Sequence, residues 1–273
     1  MTDSAAPDTP LSAAQERLGR IIDALPGLTI AVSGGTDSLT LATFAGRRQP
    51  RLSVLHALSP AVPPDATARV RALAATEGWA LTCRDAGEFA DPDYLANPVN
   101  RCFFCKSNLY DTIRKQCDGP VASGTNLDDL GDFRPGLEAA RARGVLHPLA
   151  EAGLTKRDIR ALARRLGLGD LSDLPAQPCL SSRIETGLPI HAGDLAFVDA
   201  METALRAAHP GADLRCRITR AGVRIESSKP LSAADRALAA RRCAEAGRDF
   251  AGITPYRRGS AFLHGADRSG VPT

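Results

Sequence analysis

The chain has 273 residues, 44% of them hydrophobic, and a formal net charge of +3. This length can bury the core of one large domain or of two modest ones, while so small a charge gives no argument for a nucleic-acid partner. We find no apolar run near the ~18 residues of a membrane span and no signal-peptide pattern in residues 1–10, so we expect a cytoplasmic protein without a membrane partner.

Strands and helices alternate through the first part of the chain, after an expected disordered lead at residues 1–10. Strands are predicted at Leu28–Val32, Leu52–His56, Trp79–Cys83 and Pro120–Ser123, and helices at Leu11–Leu25, from Leu39, at Asp65–Glu77 and at Leu109–Gln116. A capping box at Thr155–Asp158 predicts a further helix that ends near Leu166. This alternation predicts an α/β domain over 11–175, a parallel twisted sheet with helices on both faces.

From about Pro175 the pattern changes. A helix at Gly193–Ala208, strands at Leu214–Thr219 and Val223–Glu226, a helix at Ser232–Ala246 and a strand at Phe250–Thr254 are predicted. We interpret them as a smaller α+β domain over 176–265 that ends in a βαβ-like arrangement. A tail follows at 266–273.

The segment Ser33-Gly34-Gly35-Thr36-Asp37-Ser38 lies between the first buried strand and the next helix. Glycines and a helix N-terminus together present backbone N–H groups to an anion, and Asp37 is a ligand type that suits Mg²⁺. No Gly-Lys-Ser/Thr follows, so this is not the lysine-containing nucleotide loop. The segment resembles the PP-loop of the ATP pyrophosphatase superfamily; the alternative is an ordinary glycine-rich turn.

Seven cysteines, an odd number, favour thiol or metal chemistry over a disulfide framework. Cys102 and Cys105 form a Cys-x-x-Cys pair, which we expect in the loop before a helix. The spacing alone leaves open a zinc half-site, an iron–sulfur site, a redox pair or two buried thiols. Cys179 lies between prolines in a segment without apolar periodicity, whereas a core cysteine is more typical of a strand or helix.

Several stretches beyond the loop resemble the LarE family of ATP-dependent sulfur transferases, which build the nickel-pincer nucleotide cofactor of lactate racemase. They are Asn100–Lys106, Gly124–Gly136, Pro148–Lys156 and the segment Pro175–Ile184 around Cys179. The likeness runs from about residue 28 to about residue 260. Pro178 and Pro255 depart from the family pattern and leave the exact substrate open.

The resemblance implies adenylation of a carboxylate of a pyridinium mononucleotide by ATP and Mg²⁺, with loss of pyrophosphate, followed by exchange of the activated oxygen for sulfur. Family members obtain that sulfur in one of two ways. Either the cysteine at the position of Cys179 gives up its own sulfur, or it joins a Cys-x-x-Cys pair to hold a [4Fe–4S] cluster that carries sulfide. Because Cys102, Cys105 and Cys179 are all present, we favour the cluster together with an external sulfide donor.

The resemblance also assigns individual residues. ATP is expected on Ser33, Gly34, Gly35, Thr36, Asp37, Ser38 and Asn126; the substrate is expected on Lys106, Ser182, Arg183, Glu202, Arg215 and Arg217. Asp37, with Asp128 or Asp129, is the expected metal ligand, although helix capping explains the latter two equally well. Arg215 and Arg217 alternate on one strand face and suit bidentate anion contacts, the alternative being a solvated strand edge. A homo-oligomer, a hexamer in the family, is expected.

Three other functions remain open. A tRNA-thiolating enzyme shares the PP-loop but needs a basic face, an amide-forming ligase needs no cysteines, and a zinc-binding or nucleotide-binding module needs no catalysis.

Overall fold

A computed structural model describes residues 9–131, 135–175 and 177–257. The strands are β1 Leu28–Val32, β2 Leu52–Leu58, β3 Ala80–Asp85, β4 Val121–Ser123, β5 Leu214–Thr219, β6 Gly222–Ser227 and β7 Phe250–Pro255. The helices are α1 Thr9–Asp23, α2 Thr36–Gly46, α3 Pro64–Glu77, α4 Pro92–Leu95, α5 Arg101–Arg114, α6 Pro135–Ala142, α7 Pro148–Glu151, α8 Lys156–Arg165, α9 Gly169–Ser172, α10 Ala192–Ala208 and α11 Ala233–Glu245. Short 3-10 helices lie at Glu88–Ala90, Leu127–Gly131 and Leu180–Arg183.

The chain divides into two compact units, and the second is discontinuous in sequence. The first unit contains the residues up to Glu88 and Cys102–Gln177. The second contains Phe89–Arg101 and the chain from Pro178 onward. The segment Phe89–Arg101, called the strap below, therefore packs with residues that follow it by more than seventy positions.

The first unit is built on a four-stranded parallel sheet in the order β3-β2-β1-β4. Leu28, Ile30 and Val32 of β1 pack into one hydrophobic cluster with residues of α1, α2 and α8. Ala31, between them, packs into a second cluster with residues of α5 and α6. Because side chains alternate across a strand, the two clusters cover opposite faces of the sheet. The predicted parallel α/β architecture is confirmed.

The second unit carries a separate three-stranded sheet in the order β5-β6-β7. β5 and β6 pair antiparallel as a hairpin, whereas β7 returns parallel to β6 through α11. This is the βαβ-like ending that the sequence predicted. Ser232 and Asp235 close a reciprocal capping box at the start of α11, as Thr155 and Asp158 do for α8.

Two element boundaries differ from the predictions in ways that matter for the site. α2 begins at Thr36 rather than Leu39, so Asp37 and Ser38 belong to its first turn. The prediction that the Cys-x-x-Cys pair lies in a loop is wrong, because α5 begins at Arg101 and contains both cysteines. The buried positions Leu109, Tyr110 and Ile113 anchor this helix to the sheet, and this packing overrides the modest helix propensity of cysteine and phenylalanine.

Some predictions fall on residues outside the described ranges. These are the lead at 1–8, the stretch 132–134 and the end of the chain from 258, including the tail at 266–273. Thr9 and Pro10, expected in the lead, begin α1. None of the helices within the described ranges is long and apolar enough to span a bilayer.

Candidate active site

The segment Ser33–Ser38, called the anion loop below, follows the carboxyl end of β1. Gly34 has a φ of +83°, and a Cβ there would lie 2.7 Å from the carbonyl oxygen of Ala66. A Cβ on Gly124, which follows β4, would lie 2.6 Å from the backbone nitrogen of Ser38. Glycine is thus required at both positions, for the left-handed turn at Gly34 and for close approach of two backbones at Gly124.

Hydroxyl groups fix the shape of the anion loop from inside. The Ser38 Oγ accepts from the Ser33 N–H at 3.2 Å and donates to the Gly35 carbonyl oxygen at 3.2 Å. Thr36 Oγ1 donates to the Leu171 carbonyl oxygen at 2.7 Å. The N-cap of α2 is Gly35, which has no side chain with which to cap the helix. The first N–H groups of α2 have no intrahelical acceptors and therefore form a site suited to phosphate.

Asp37 is held beside this loop by Asn126. The Asn126 Nδ2 donates to Asp37 Oδ2 at 2.8 Å. Burial raises the pKa of Asp37, while the hydrogen bond from Asn126 and the charge of Lys156 oppose that shift. A buried carboxylate of this kind is stabilised when a cation binds to it, and the magnesium ligand at Asp37 stays a prediction.

The two acidic residues after Asn126 have different environments. Asp128 accepts a hydrogen bond from the backbone N–H of Lys156 at 2.9 Å and so caps α8. Asp129 is buried, exchanges backbone and side-chain hydrogen bonds with Asn126, and lies 3.4 Å from the Lys156 Nζ. Asp128 therefore has the helix-capping environment, and Asp129 is the one of the two that shares charged neighbours with Asp37.

Two cations that no sequence pattern indicated face this region. Lys156 and Arg160 both lie on α8, and the charges of both lower the pKa of Asp37. The sequence showed only the capping box from which Lys156 extends, and capping boxes open many helices that bind nothing.

Cys102 and Cys105 lie three residues apart in the first two turns of α5, both partly exposed. That spacing places them on the same side of the helix, where the N-terminal dipole favours thiolates. Lys106 follows, with its Nζ 6.0 Å from the centre of the Tyr110 ring. Gly136 packs against the aliphatic stem of Lys106.

In the second unit, Cys179 is exposed while its backbone is held firmly. Its carbonyl oxygen accepts from the Ser182 N–H at 3.0 Å and from Ser182 Oγ at 2.8 Å. Arg183 donates to the Pro178 carbonyl oxygen at 2.9 Å. The thiol is therefore presented to its surroundings on a fixed turn.

The buried pair Arg183–Glu202 supports that turn. The Arg183 guanidinium binds the Glu202 carboxylate through two hydrogen bonds of 2.9 and 3.1 Å, and the two side chains are 3% and 1% exposed. Burial alone would lower the pKa of Arg183. The hydrogen bonds to Glu202 and the charge of its carboxylate together have the larger effect, so the pKa of Arg183 is raised. Glu202 also accepts from the Cys216 N–H at 2.9 Å and from Arg206.

Arg215 and Arg217 lie on one face of β5 and are both buried, which excludes the solvated strand edge as their environment. Arg217 bonds to Glu226 at 3.0 Å and to the Ser182 carbonyl oxygen at 2.8 Å. Arg215 stacks on Tyr256, with its guanidinium carbon 5.3 Å from the ring centre. Burial lowers the pKa of Arg215, and the charge of Arg183 lowers it further. Arg183, Arg215 and Arg217 are called the arginine cluster below.

The structure thus collects the predicted residues into two groups. In the first unit the anion loop, Asp37 and Asn126 come together, and Cys102, Cys105 and Lys106 share one helix end. In the second unit Cys179, Ser182, Glu202 and the arginine cluster come together. Among the described residues, no three His, Cys, Asp or Glu side chains are grouped as ligands of one metal ion.

A parallel α/β sheet with an anion loop after its first strand defines a Rossmann-like protein of the PP-loop type. No family model matches the chain. It is 40% identical over 196 residues to the uncharacterized protein slr1717 of Synechocystis sp., covering 70% of this chain and 73% of that protein. The chain belongs to the family of that cyanobacterial protein.

Two other relatives are more distant. The uncharacterized protein MJ0830 of Methanocaldococcus jannaschii is 31% identical over 116 residues, 41% of this chain and 45% of that protein. The pyridinium-3,5-bisthiocarboxylic acid mononucleotide synthase of Lactiplantibacillus plantarum is 29% identical over 190 residues, 67% of this chain and 68% of that protein. The latter likeness supports, at the level of a distant relative, the predicted resemblance to the LarE family.

Proposed function

We propose that this protein is an ATP-dependent sulfur transferase that converts a carboxylate of a pyridinium mononucleotide into a thiocarboxylate. The observation that carries the proposal is the exposed Cys179 on a turn held by the arginine cluster. A thiol beside buried guanidinium groups suits a reaction in which sulfur meets an anionic substrate. The printed name of the Lactiplantibacillus relative supports the same substrate class.

The first step assigned to this chain is adenylation. An oxygen of the substrate carboxylate attacks the α-phosphorus of ATP, the bond to the β-phosphate breaks, and pyrophosphate leaves. The N–H groups of the anion loop and the cation Lys156 would stabilise the negative charge on the departing phosphates. Asp37, with Asp129 nearby, would hold Mg²⁺, which would supply positive charge to neutralise the phosphate oxygens.

The second step replaces the activated oxygen with sulfur. A sulfur nucleophile attacks the acyl carbon of the adenylate, the carbon–oxygen bond to AMP breaks, and AMP leaves. Arg215 and Arg217 would hold the phosphate or second carboxylate of the mononucleotide, while Ser182 and Arg183 fix the turn that presents Cys179. Lys106 is proposed as a further contact for substrate phosphate.

The source of the sulfur is a separate part of the proposal. Three thiols, Cys102, Cys105 and Cys179, would hold a [4Fe–4S] cluster, which would supply sulfide for the second step. Thiols are the ligands that such a cluster prefers. The proposal of a cluster rests on these three cysteines and on the resemblance to the LarE family. The other route uses Cys179 alone: its thiolate displaces AMP to form an acyl thioester, a base removes the Cα proton, and the Cβ–S bond breaks. The thiocarboxylate leaves, and dehydroalanine remains.

One experiment tests the activity and separates the two sulfur sources. The protein is purified without oxygen, its iron is measured, and it is incubated with Mg-ATP, pyridinium-3,5-biscarboxylic acid mononucleotide and sulfide. Pyrophosphate release that requires the mononucleotide supports adenylation, and its absence contradicts the proposed function. About four irons per chain support the cluster. Without iron, loss of the mass of H₂S from the chain after turnover supports the sacrificial route.

Cys179→Ala and Cys83→Ala are the matched variants. Cys83 lies on β3, the edge strand that β2 separates from β1 and the anion loop. Cys179→Ala is expected to retain pyrophosphate release and to lose thiocarboxylate formation, because the thiol acts after adenylation. Cys83→Ala is expected to retain both, and equal thiocarboxylate formation by the two variants would contradict the role of Cys179.

A further inference from the structure

Arg69 of α3 contacts the anion loop from its carbonyl side. Its Nη1 donates to the Gly34 carbonyl oxygen at 2.5 Å. The loop also lies against Ala66, one turn earlier on the same helix, since a Cβ on Gly34 would lie 2.7 Å from the Ala66 carbonyl oxygen. α3 therefore supports the loop at two successive turns.

This hydrogen bond controls the direction of one N–H group of the loop. The peptide between Gly34 and Gly35 is planar and trans, so the Gly34 C=O and the Gly35 N–H point in opposite directions. By holding the carbonyl oxygen, Arg69 turns the Gly35 N–H away from α3. A glycine with φ of +83° has no Cβ that would restrict this peptide, so an external contact is needed to fix it.

The internal contacts of the loop do not fix this peptide as well. The Gly35 N–H points toward Ser33 Oγ at 3.4 Å, which is long for a hydrogen bond. The bond from the Arg69 guanidinium is shorter and charge-assisted, and such bonds are the stronger class.

Arg69 also places a permanent positive charge behind the loop. Guanidinium groups stay protonated at neutral pH in proteins. The loop has no lysine of the kind that follows the glycines in other nucleotide-binding loops, so its own residues carry no cation. A partly buried arginine next to the loop supplies that charge from a neighbouring helix.

We propose that Arg69 is a positioning residue for polyphosphate: it orients the Gly34–Gly35 peptide and places positive charge behind the loop on which the β- and γ-phosphates of ATP bind. The inference rests on the proposed function, since it requires ATP on the anion loop. It adds to that function a specificity for ligands that carry a pyrophosphate group.

The test compares binding of ATP, inorganic pyrophosphate and AMP to the full-length protein by calorimetry. The variants are Arg69→Gln, Arg69→Lys and the control Arg71→Gln, an exposed arginine on the same helix. We expect Arg69→Gln to lower the affinity for ATP and for pyrophosphate about tenfold or more, the size expected for one charge-assisted hydrogen bond. AMP affinity should stay within about twofold because AMP lacks the phosphates concerned.

Arg69→Lys restores a positive charge and one donor, so it should recover most of the lost affinity. In steady-state kinetics, Arg69→Gln should raise the KM for ATP by the same factor, with a smaller change in kcat. Thermal unfolding without ligand separates a specific loss of ATP binding from a folding defect. A folding defect would lower the affinity for AMP as well. If Arg69→Gln unfolds, Arg69→Met replaces it, because methionine keeps much of the aliphatic stem without the charge or the donor. A ratio of ATP to AMP affinity in Arg69→Met like that of Arg71→Gln contradicts the inference.

The outcomes distinguish this inference from the proposed function. If the unaltered protein binds ATP and Arg69→Gln binds it equally well, the inference is wrong and the proposed function stands. If the unaltered protein binds neither ATP nor pyrophosphate, both are wrong.

Discussion

The anion loop and the arginine cluster both suit negatively charged ligands, but they are built from different parts of the chain. The loop offers backbone N–H groups, and its shape depends on glycines that leave room for neighbouring backbone. The cluster offers buried guanidinium groups, and its shape depends on carboxylates such as Glu202 and Glu226 that pair with them. A backbone site withstands changes of charge but not of volume, whereas a site of buried ion pairs is sensitive to the loss of a single charge.

The sharpest test of this difference is Glu202→Gln in the second unit. The change keeps the volume but leaves Arg183 buried beside a neutral partner, so we expect a loss of about 3–5 kcal/mol in the free energy of unfolding. Denaturant unfolding measures it. The control is Glu245→Gln, which removes an exposed pair with Arg241 and should cost less than about 1 kcal/mol. Equal losses in the two variants would show that the buried pair has no special role.

The corresponding test of the loop changes volume rather than charge. In Gly124→Ala the new methyl group meets the Ser38 backbone, so we expect about 1–3 kcal/mol of destabilisation and a lower affinity for ATP. The matched control is Gly119→Ala, where a Cβ meets no atom within 4 Å among the described residues. Calorimetric titration with ATP would contradict the interpretation if both variants bound it like the parent.

A change in stability of similar size is expected where the strap meets the Cys179 turn. The Tyr94 hydroxyl and Ser181 Oγ are 2.6 Å apart and both residues are buried. Tyr94→Phe leaves the serine hydroxyl without this partner and should cost about 1–3 kcal/mol. In a double-mutant cycle with Ser181→Ala, a coupling energy near zero would mean that the two hydroxyl groups contribute independently.

The smallest change in stability is expected for Asp37→Asn. Unlike the preceding variants, it is not expected to be destabilised. Burial raises the native pKa of Asp37 above its unfolded value, so the native state holds the proton more tightly. The free energy of unfolding therefore falls as the pH rises from the unfolded pKa through the native one. Asn removes that fall, and the variant should be at least as stable as the parent at pH 7 while losing metal-dependent pyrophosphate release. Unfolding curves from pH 4 to 8 would contradict this if the variant were less stable throughout.

Sequence alone located the anion loop and the face shared by Arg215 and Arg217, because both depend on local spacing. It also predicted the capping box of α8, which Thr155 and Asp158 form through their own hydrogen bonds. It did not predict that Cys102 and Cys105 lie in a helix, since cysteine and the two phenylalanines between them are weak helix formers and the helix depends on packing.

Sequence patterns likewise did not predict which residues pair with the buried charges. Arg183 and Glu202 are separated by 19 positions, and no local pattern indicates that they pair. The same holds for Lys156 and Arg160, which reach Asp37 only because α8 packs against α2. Local spacing predicts elements and exposed loops, whereas the charge balance of a buried site requires the tertiary structure.

The strap has a consequence for how the polypeptide is made. Tyr94 leaves the ribosome 87 positions before Ser181, its hydrogen-bonding partner, and Asn97 similarly precedes the carbonyl groups of Glu185 and Leu188 that it binds. A nascent chain that has not yet reached Ser181 leaves Tyr94 exposed, whereas the folded protein buries it. Contacts of such long sequence separation form late, so the turn that carries Cys179 takes its final shape only after Glu202, the partner of Arg183, has been synthesised.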